Sequence, residues 1–163
     1  MTDRVMPKYY KKRYYRVNKD KYSVEQSAFT TSVTASNQQA TLIVPPVATQ
    51  GMRKVKHLIV DLAATGATAS NVDMFWALVY VPQGTTPNTI TVASTAGSSA
   101  PMYEPNQFVM ACGVMDFSAG PTRIRTPLSR NLNSGDAIYL ILANPGGVTN
   151  TIYGTVRYAI TLQ

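Results

Sequence analysis

The chain has 163 residues, 45% of them hydrophobic, which is enough for one domain with a substantial core. It contains one cysteine and one histidine, so its own side chains can form neither an intrachain disulfide nor a zinc cluster. Residues 1–21 hold eight of the fifteen Lys and Arg residues and two of the eight acidic residues, and so carry +6 of the formal net charge of +7. This separation of a basic segment from a nearly neutral body is typical of proteins that bind polyanions.

Residues 1–22 are predicted to form an N-terminal arm in front of a folded domain of residues 23–163. The stretch PKYYKKRYYRVNKDKY interleaves positive charge with tyrosine and shows neither a helical nor an alternating apolar pattern. Such a segment cannot bury enough apolar surface to order itself. It also lacks the apolar stretch of a secretory signal. The longest apolar run, FWALVYVP, is far shorter than the roughly 20 residues that span a bilayer, so we expect a soluble chain without a membrane partner.

From Tyr22 onward, Val, Ile, Thr, Tyr and Ala dominate and are interrupted by Pro, Gly, Asn and Ser, which predicts β-strands separated by turns. The predicted strands are residues 24–34, 40–44, 54–63, 73–81, 107–115, 122–126, 136–143 and 151–162. This pattern predicts an all-β fold, a single eight-stranded jelly-roll sandwich. The polar segment 83–106 is predicted to be a long loop, an element that is often functional.

Two strand patterns predict which faces are buried. In GTVRYAITL, every second residue from Val156 to Leu162 is predicted to face the core, and Arg157 and the positions in phase with it to face outward. FWALVYV and AIYLILA are apolar on both faces, which predicts central strands that are covered on both sides.

No catalytic residue can be assigned from the sequence. His57 and Asp61 would share a face of a strand, but no G-x-S-x-G motif supplies a nucleophile, so His57 is predicted to be a structural or surface residue. Three aspartates near strand ends follow no calcium-loop spacing and are predicted to serve in turns and caps: Asp73, Asp116 and Asp136. The chain is therefore not expected to be an enzyme or to carry a metal ion or another cofactor.

Cys112 and Trp76 are two further candidates for a functional role. Cys112 lies in the middle of the strand FVMACGVM, where a buried thiol is expected. Trp76 is in phase with Met74, Leu78 and Tyr80, which favours a place in the core or in a subunit contact over ligand stacking.

The arm is the segment for which the sequence predicts a function. Its Lys and Arg side chains suit phosphate groups, and binding through them weakens steeply with salt. Its tyrosines can stack on unpaired bases, which favours single-stranded over duplex nucleic acid. The predicted nucleic-acid-binding residues are Lys8, Tyr9, Tyr10, Lys11, Lys12, Arg13, Tyr14, Tyr15, Arg16, Lys19, Lys21 and Tyr22. The alternative is a tail that only aids solubility, and KKR also matches a weak nuclear-import signal.

Three stretches of the body resemble one viral family when their order and spacing are taken together. They are VDMFWALVYVPQGTTPNTI (72–90), MYEPNQFVMACGVMDFSAGPTRIRTPLSRNLNSGDAIYLIL (102–142) and GTVRYAITLQ (154–163). They resemble capsid proteins of circular Rep-encoding single-stranded DNA (CRESS-DNA) viruses over nearly all of residues 54–163, and the basic arm stands where this family carries its genome-facing segment.

The resemblance implies a jelly roll that self-assembles, most simply from 60 identical copies, into a small icosahedral shell around circular single-stranded DNA. The arms would face the genome and the surface loops the host. The protein would be found in the virion and, during assembly, in the host nucleus.

The arm is short and holds fewer arginines than that of many relatives, so its charge is expected to be too small to neutralise a packaged genome. Further candidates for a basic lining of the shell interior are Arg53, Lys54, Lys56, Arg123 and Arg125. The alternative for these residues is an exposed surface without a DNA contact. Two other function classes stay open on the sequence: a cellular nucleic-acid-binding module and a carbohydrate-binding jelly roll.

Overall fold

The computed structural model describes residues 22–48, 51–65, 73–87 and 108–162, which form two antiparallel sheets. The strands are β1 (Ser23–Val33), β2 (Asn37–Val44), β3 (Arg53–Thr65), β4 (Asp73–Val81), β5 (Phe108–Asp116), β6 (Thr122–Arg125), β7 (Arg130–Leu132), β8 (Ala137–Asn144) and β9 (Asn150–Leu162). A short 3₁₀ helix, Phe117–Ala119, follows β5. Within these ranges no helix is long and apolar enough to cross a membrane. Most of the predicted loop 83–106 lies outside them.

The strand order is that of a jelly roll. A five-stranded sheet has the order β1-β9-β3-β6, with β7 also paired to β3, and a four-stranded sheet has the order β2-β8-β4-β5. The first and last strands pair with each other, and the pairs β2–β8, β3–β6 and β4–β5 lie successively inside them. This nested antiparallel pairing, divided between two sheets, confirms the predicted all-β sandwich.

The predicted number of eight strands is wrong by one, because the strand expected at residues 122–126 has a continuation. β6 pairs with residues 59–62 of β3, and β7 pairs with residues 53–55 on the same edge. Between them lies Pro127, which has no backbone N–H to donate to the ladder. One edge strand is thereby divided into two short ones.

The main core lies between the two sheets, where side chains such as Leu78, Leu140 and Val156 are fully buried. Each such side chain contributes about 1.5–3 kcal/mol to folding. β4 and β8, the inner strands of the four-stranded sheet, bury a second apolar cluster on their opposite face: Ala77, Val79, Val81, Ile141 and Ala143. This confirms that FWALVYV and AIYLILA are covered on both sides.

β9 follows the predicted alternation. Val156, Tyr158 and Ile160 are buried on the core side, whereas Arg157 is exposed on the outer face. Thr161 is in phase with Arg157 and nevertheless is only 3% exposed, so the outer face is recessed at this end of the strand.

A β-bulge interrupts β3 at His57 and Leu58. The register of β3 with β9 shifts between Lys56 and Ile59, so His57 and Leu58 together lie opposite Tyr158. His57 adopts φ 54°, in the left-handed region that few residues other than glycine occupy.

The bulge changes which side chains of β3 face outward. Without the extra residue, strict alternation would place Leu58 on the same face as Lys56. With it, Leu58 is fully buried in the core, and Ile59 and Asp61 join Lys54 and Lys56 on the outer face.

Two expectations about β4 and β5 have different outcomes. Trp76 packs against the main core, and its ring lies over Gly113, where an added Cβ would be 2.9 Å from the ring. The core placement predicted for Trp76 is therefore confirmed. Cys112, by contrast, is exposed. The expectation of a buried thiol is wrong because β5 is the edge strand of its sheet, a position that the local sequence does not reveal.

Candidate nucleic-acid interface

The basic residues of the body all belong to the five-stranded sheet. The seven Lys and Arg residues after residue 22 lie on β3, β6, β7 and β9: Arg53, Lys54, Lys56, Arg123, Arg125, Arg130 and Arg157. The strands described for the four-stranded sheet contain none, and their charged residues are Asp73 and Asp116. The nearly neutral net charge of the body therefore conceals a separation of charge between the two sheets.

Five of these cations share the outer face of the five-stranded sheet, which we call the basic face: Lys54, Lys56, Arg123, Arg125 and Arg157. Arg157 on β9 and Arg125 on β6 pair with Ile59 from opposite sides, which separates their Cα atoms by about 10 Å across the sheet. Along a strand, successive outward residues repeat about every 6.8 Å. The positive charges are thus distributed over the face in rows.

Asp61 is the one carboxylate that the register places on this face among the described residues. Arg123 Nε donates to Asp61 Oδ1 at 2.5 Å, and Nη2 donates to Oδ2 at 3.4 Å. This hydrogen bond, and then the charge of the carboxylate, raise the pKa of Arg123 further above its ordinary value. Since Asp61 is bound by Arg123, it is not available as the partner that the sequence suggested for His57.

Arg53 and Arg130 do not contribute to the basic face. Arg53 lies on the core side of β3, is 7% exposed, and donates from Nη2 to the carbonyl oxygen of Pro45 at 3.1 Å. The guanidinium carbon of Arg130 lies 4.2 Å from the ring centroid of Tyr80, in a cation–π contact. Both arginines therefore serve contacts within the domain.

The structure brings together four of the five interior candidates taken from the sequence, namely Lys54, Lys56, Arg123 and Arg125, and separates Arg53 from them. It adds Arg157, which the alternation of β9 predicts to face outward but which is not among the predicted site residues. The alternation of β9 was the signal that would have identified it.

Tyr22 connects the predicted arm with the basic face. It directly precedes β1 and is 67% exposed. Together with Lys56, His57 and Arg157 it lines an open cleft of about 420 Å³ in the basic face. The other predicted arm residues, Lys8 to Lys21, lie outside the described residues, so their DNA contacts and the nuclear-import role of KKR stay predictions.

A second cleft, of about 490 Å³, lies further along the same sheet face and includes Asp61, Tyr153 and Thr155. The carboxylate of Asp61 makes this cleft a less favourable place for an anion than the first one.

The three aspartates singled out in the sequence do not converge. Asp73 and Asp116 lie opposite each other on β4 and β5, whereas Asp136 lies beyond the other end of β4. Asp116 accepts hydrogen bonds of 2.7 Å from the hydroxyl group and from the backbone N–H of Ser118, and both lower its pKa. The bond from the backbone N–H also caps the 3₁₀ helix. Within the described part of the chain, no group of three or more His, Cys, Asp or Glu side chains is placed to hold a metal ion.

The sequence matches no protein-family model and no curated protein. Among solved structures, the fold is similar to the Yersinia pseudotuberculosis-derived mitogen, with 12% identity, 81% of this chain and 84% of that chain covered, and a TM-score of 0.44. It is also similar to the BFDV capsid protein in its 60-mer, with 12% identity, coverage of 88% and 95%, and a TM-score of 0.46. For the decameric BFDV capsid protein the identity is 11%, the coverage 89% and 99%, and the TM-score 0.43.

Proposed function

We propose that the chain is the coat protein of a small icosahedral virus and that 60 copies enclose a circular single-stranded DNA genome. The observation that carries the proposal is the position of Tyr22, which joins the basic Tyr-rich arm to the basic face of the five-stranded sheet. The arm directly precedes the basic face in the chain, so both can contact the same nucleic acid, and the arm supplies the tyrosines that suit unpaired bases.

The shell assignment rests on the motifs of residues 54–163, which resemble CRESS-DNA virus capsid proteins in order and spacing. The charge distribution agrees with this role, because a shell subunit needs one face for the genome and others for its neighbours. The basic face, with five cations and one carboxylate, is the face we assign to the shell interior. The protein is then a component of the virion and has no catalytic role and no cofactor.

The basic face also supplies positive charge for neutralising the genome, for which the charge of the arm alone is too small. Arm residues 1–21 carry a net +6, and the basic face adds a net +4 in every copy. Arm and face therefore share the neutralisation of DNA phosphates, and the arm mainly tethers and orders the DNA.

The test is expression of the full chain alone, followed by size-exclusion chromatography and negative-stain electron microscopy. We expect homogeneous closed shells that contain nucleic acid. A chain that stays monomeric across a range of salt concentration and pH contradicts the proposal.

Two variants with equal loss of charge locate the DNA contacts. One replaces Lys54, Lys56, Arg125 and Arg157 with glutamine, and the other replaces Lys8, Lys11, Lys12 and Arg13 with glutamine. Both are expected to form shells with a lower ratio of absorbance at 260 nm to that at 280 nm. An unchanged absorbance ratio in shells of the first variant would contradict the assignment of the basic face to the shell interior.

A further inference from the structure

The cleft at Tyr22 has a charged rim and an apolar floor. Arg157 and His57 are exposed at its edge, beside Lys56, which is partly buried. Deeper in the cleft lies Ala159, which is 8% exposed and faces the same side of the sheet. Such a combination of a cationic edge and an apolar interior suits a ligand that has one anionic and one flat apolar part.

Thr161 gives this cleft an unsatisfied polar group. Its side chain is 3% exposed, and within the described residues its buried Oγ1 atom has no hydrogen-bond partner. Buried hydroxyl groups in folded proteins nearly always have a partner, because an unpaired one costs about 1–3 kcal/mol. Thr161 lines the cleft, so a rotation about its χ1 angle can turn the hydroxyl group from its buried position toward a ligand in the cleft, which then supplies that partner.

The aromatic ring needed for stacking is at the edge of the same cleft. Tyr22 is exposed, and Val24 and Ile59 add apolar surface beside it. The volume of about 420 Å³ falls within the range of small-ligand sites, about 300–1,000 Å³. A base with its sugar and phosphate has the size and the mixed polarity that these side chains require.

Lys56 on β3 and Arg157 on β9 occupy successive rows of the outer face, which are about 6.8 Å apart. Their long side chains can therefore reach the same phosphate group. The preference for a single strand comes from Tyr22, because a base can stack on this ring only when it is not already stacked and paired in a duplex.

We propose that this cleft binds one unpaired nucleotide of single-stranded DNA, with the base stacked on Tyr22 and hydrogen-bonded to the hydroxyl group of Thr161, and with the phosphate held by Lys56 and Arg157. The inference rests on the proposed packaging function and adds a defined base-binding site to it. Each copy of the chain would then fix one nucleotide at the root of its arm.

The test uses the full chain, dissociated into subunits and freed of bound nucleic acid, and two labelled probes, an eight-residue oligo(dT) and an oligomer with the same phosphates but abasic sugars. Affinity is measured by fluorescence anisotropy at fixed salt. The substitution Tyr22→Ala is expected to weaken oligo(dT) binding roughly five-fold or more, and Thr161→Val about two- to ten-fold. Neither change should alter binding of the abasic probe, whereas Arg157→Gln should weaken binding of both.

Matched controls come from the same chain. Thr41 has the second buried hydroxyl group without a partner among the described residues, and it does not line the cleft, so Thr41→Val should leave the affinity unchanged. Tyr153 is an exposed tyrosine in the other cleft, and Tyr153→Ala should weaken binding less than Tyr22→Ala. Thr161→Val removes an unpaired buried hydroxyl group, so it should unfold at the same or a higher denaturant concentration than the unmodified chain.

The possible results distinguish a failure of the cleft proposal from a failure of the proposed function. Shells that package DNA, together with unchanged oligo(dT) binding in Tyr22→Ala and Thr161→Val, overturn the cleft and leave the coat-protein role intact. Equal losses on the two probes also overturn it, because they indicate contacts to phosphate alone. The expected losses on oligo(dT) in a chain that never forms shells support the cleft and contradict the coat-protein role.

Discussion

The hydroxyl group of Tyr80 donates a hydrogen bond of 2.6 Å to Oδ2 of Asp136 and thereby ties the end of β4 to the turn before β8. Asp136 is 4% exposed and also accepts from the backbone N–H groups of Gln83, at 3.1 Å, and Asn133, at 2.8 Å. Burial and this carboxylate raise the pKa of Tyr80 to about 12, so the phenol stays a donor. Burial alone would raise the pKa of Asp136, but the hydrogen bonds from Tyr80 and the two backbone groups outweigh it and lower that pKa.

Replacing Asp136 with asparagine is expected to lower the free energy of unfolding by about 1–3 kcal/mol at pH 7, because an amide cannot accept all three bonds. The pKa of Asp136 is lower in the folded than in the unfolded chain, so the stability it contributes is present above its unfolded value of about 4 and is lost as pH falls through the folded value. The difference between the unmodified chain and Asp136→Asn should therefore shrink in urea titrations repeated at increasingly acidic pH. A difference that stays constant contradicts this account.

Phe29 and Gly154 lie directly opposite each other on β1 and β9, and a Cβ added to Gly154 would overlap the phenyl ring. The substitution Gly154→Ala is expected to lower the free energy of unfolding by about 1–3 kcal/mol through overpacking. In a Phe29→Ala background the same change should cost little, because the ring that it meets is absent. Gly147→Ala is the control, since no atom lies within 4 Å of the added carbon, and it should stay within about 0.5 kcal/mol. Additive effects of the Phe29 and Gly154 substitutions in chemical denaturation would contradict the direct contact.

The fold was largely predictable, because β4, β8 and β9 carry strong patterns. Two of these strands are continuously apolar and the third alternates, and each pattern follows from which faces a strand buries. β7 was missed because three residues are too few for a periodic signal.

The site was less predictable, because its members come from distant parts of the chain. Tyr22, Lys56 and Arg157 meet only through the pairing of β1, β9 and β3, and no local pattern encodes that pairing. Local alternation would have separated Arg53 from Lys54, since neighbours in a strand face opposite sides. The bulge at His57 gave no signal, because the glycine or asparagine that usually marks a positive φ is absent.

The ion pair between Arg123 and Asp61 limits how much of the basic face can bind phosphate. The substitution Asp61→Asn should release the guanidinium group, strengthen binding of single-stranded DNA, and steepen the dependence of log K on log salt by about 0.7. The pair is exposed and screened by solvent, so its loss should have little effect on stability. Asp73→Asn changes the net charge equally but lies on the four-stranded sheet, and it should leave the salt dependence unchanged. Identical effects of the two substitutions in salt titrations would mean that net charge alone, and not the face, determines binding.

His57 occupies a backbone conformation that favours glycine, and its imidazole stands at the rim of the cleft. His57→Gly should keep or raise the free energy of unfolding by up to about 1 kcal/mol, because the relief of strain is partly offset by the greater entropy of the unfolded chain. His57→Val should lower it by about 1–3 kcal/mol, since a β-branched side chain fits this conformation poorly. Lys54→Val, on the same strand in regular geometry, is the control and should change stability by less than about 0.5 kcal/mol. Equal stabilities of His57→Gly and His57→Val in urea would show that the bulge does not constrain this position. A stable His57→Gly chain with weaker oligo(dT) binding would identify the imidazole as a further contact of the nucleotide.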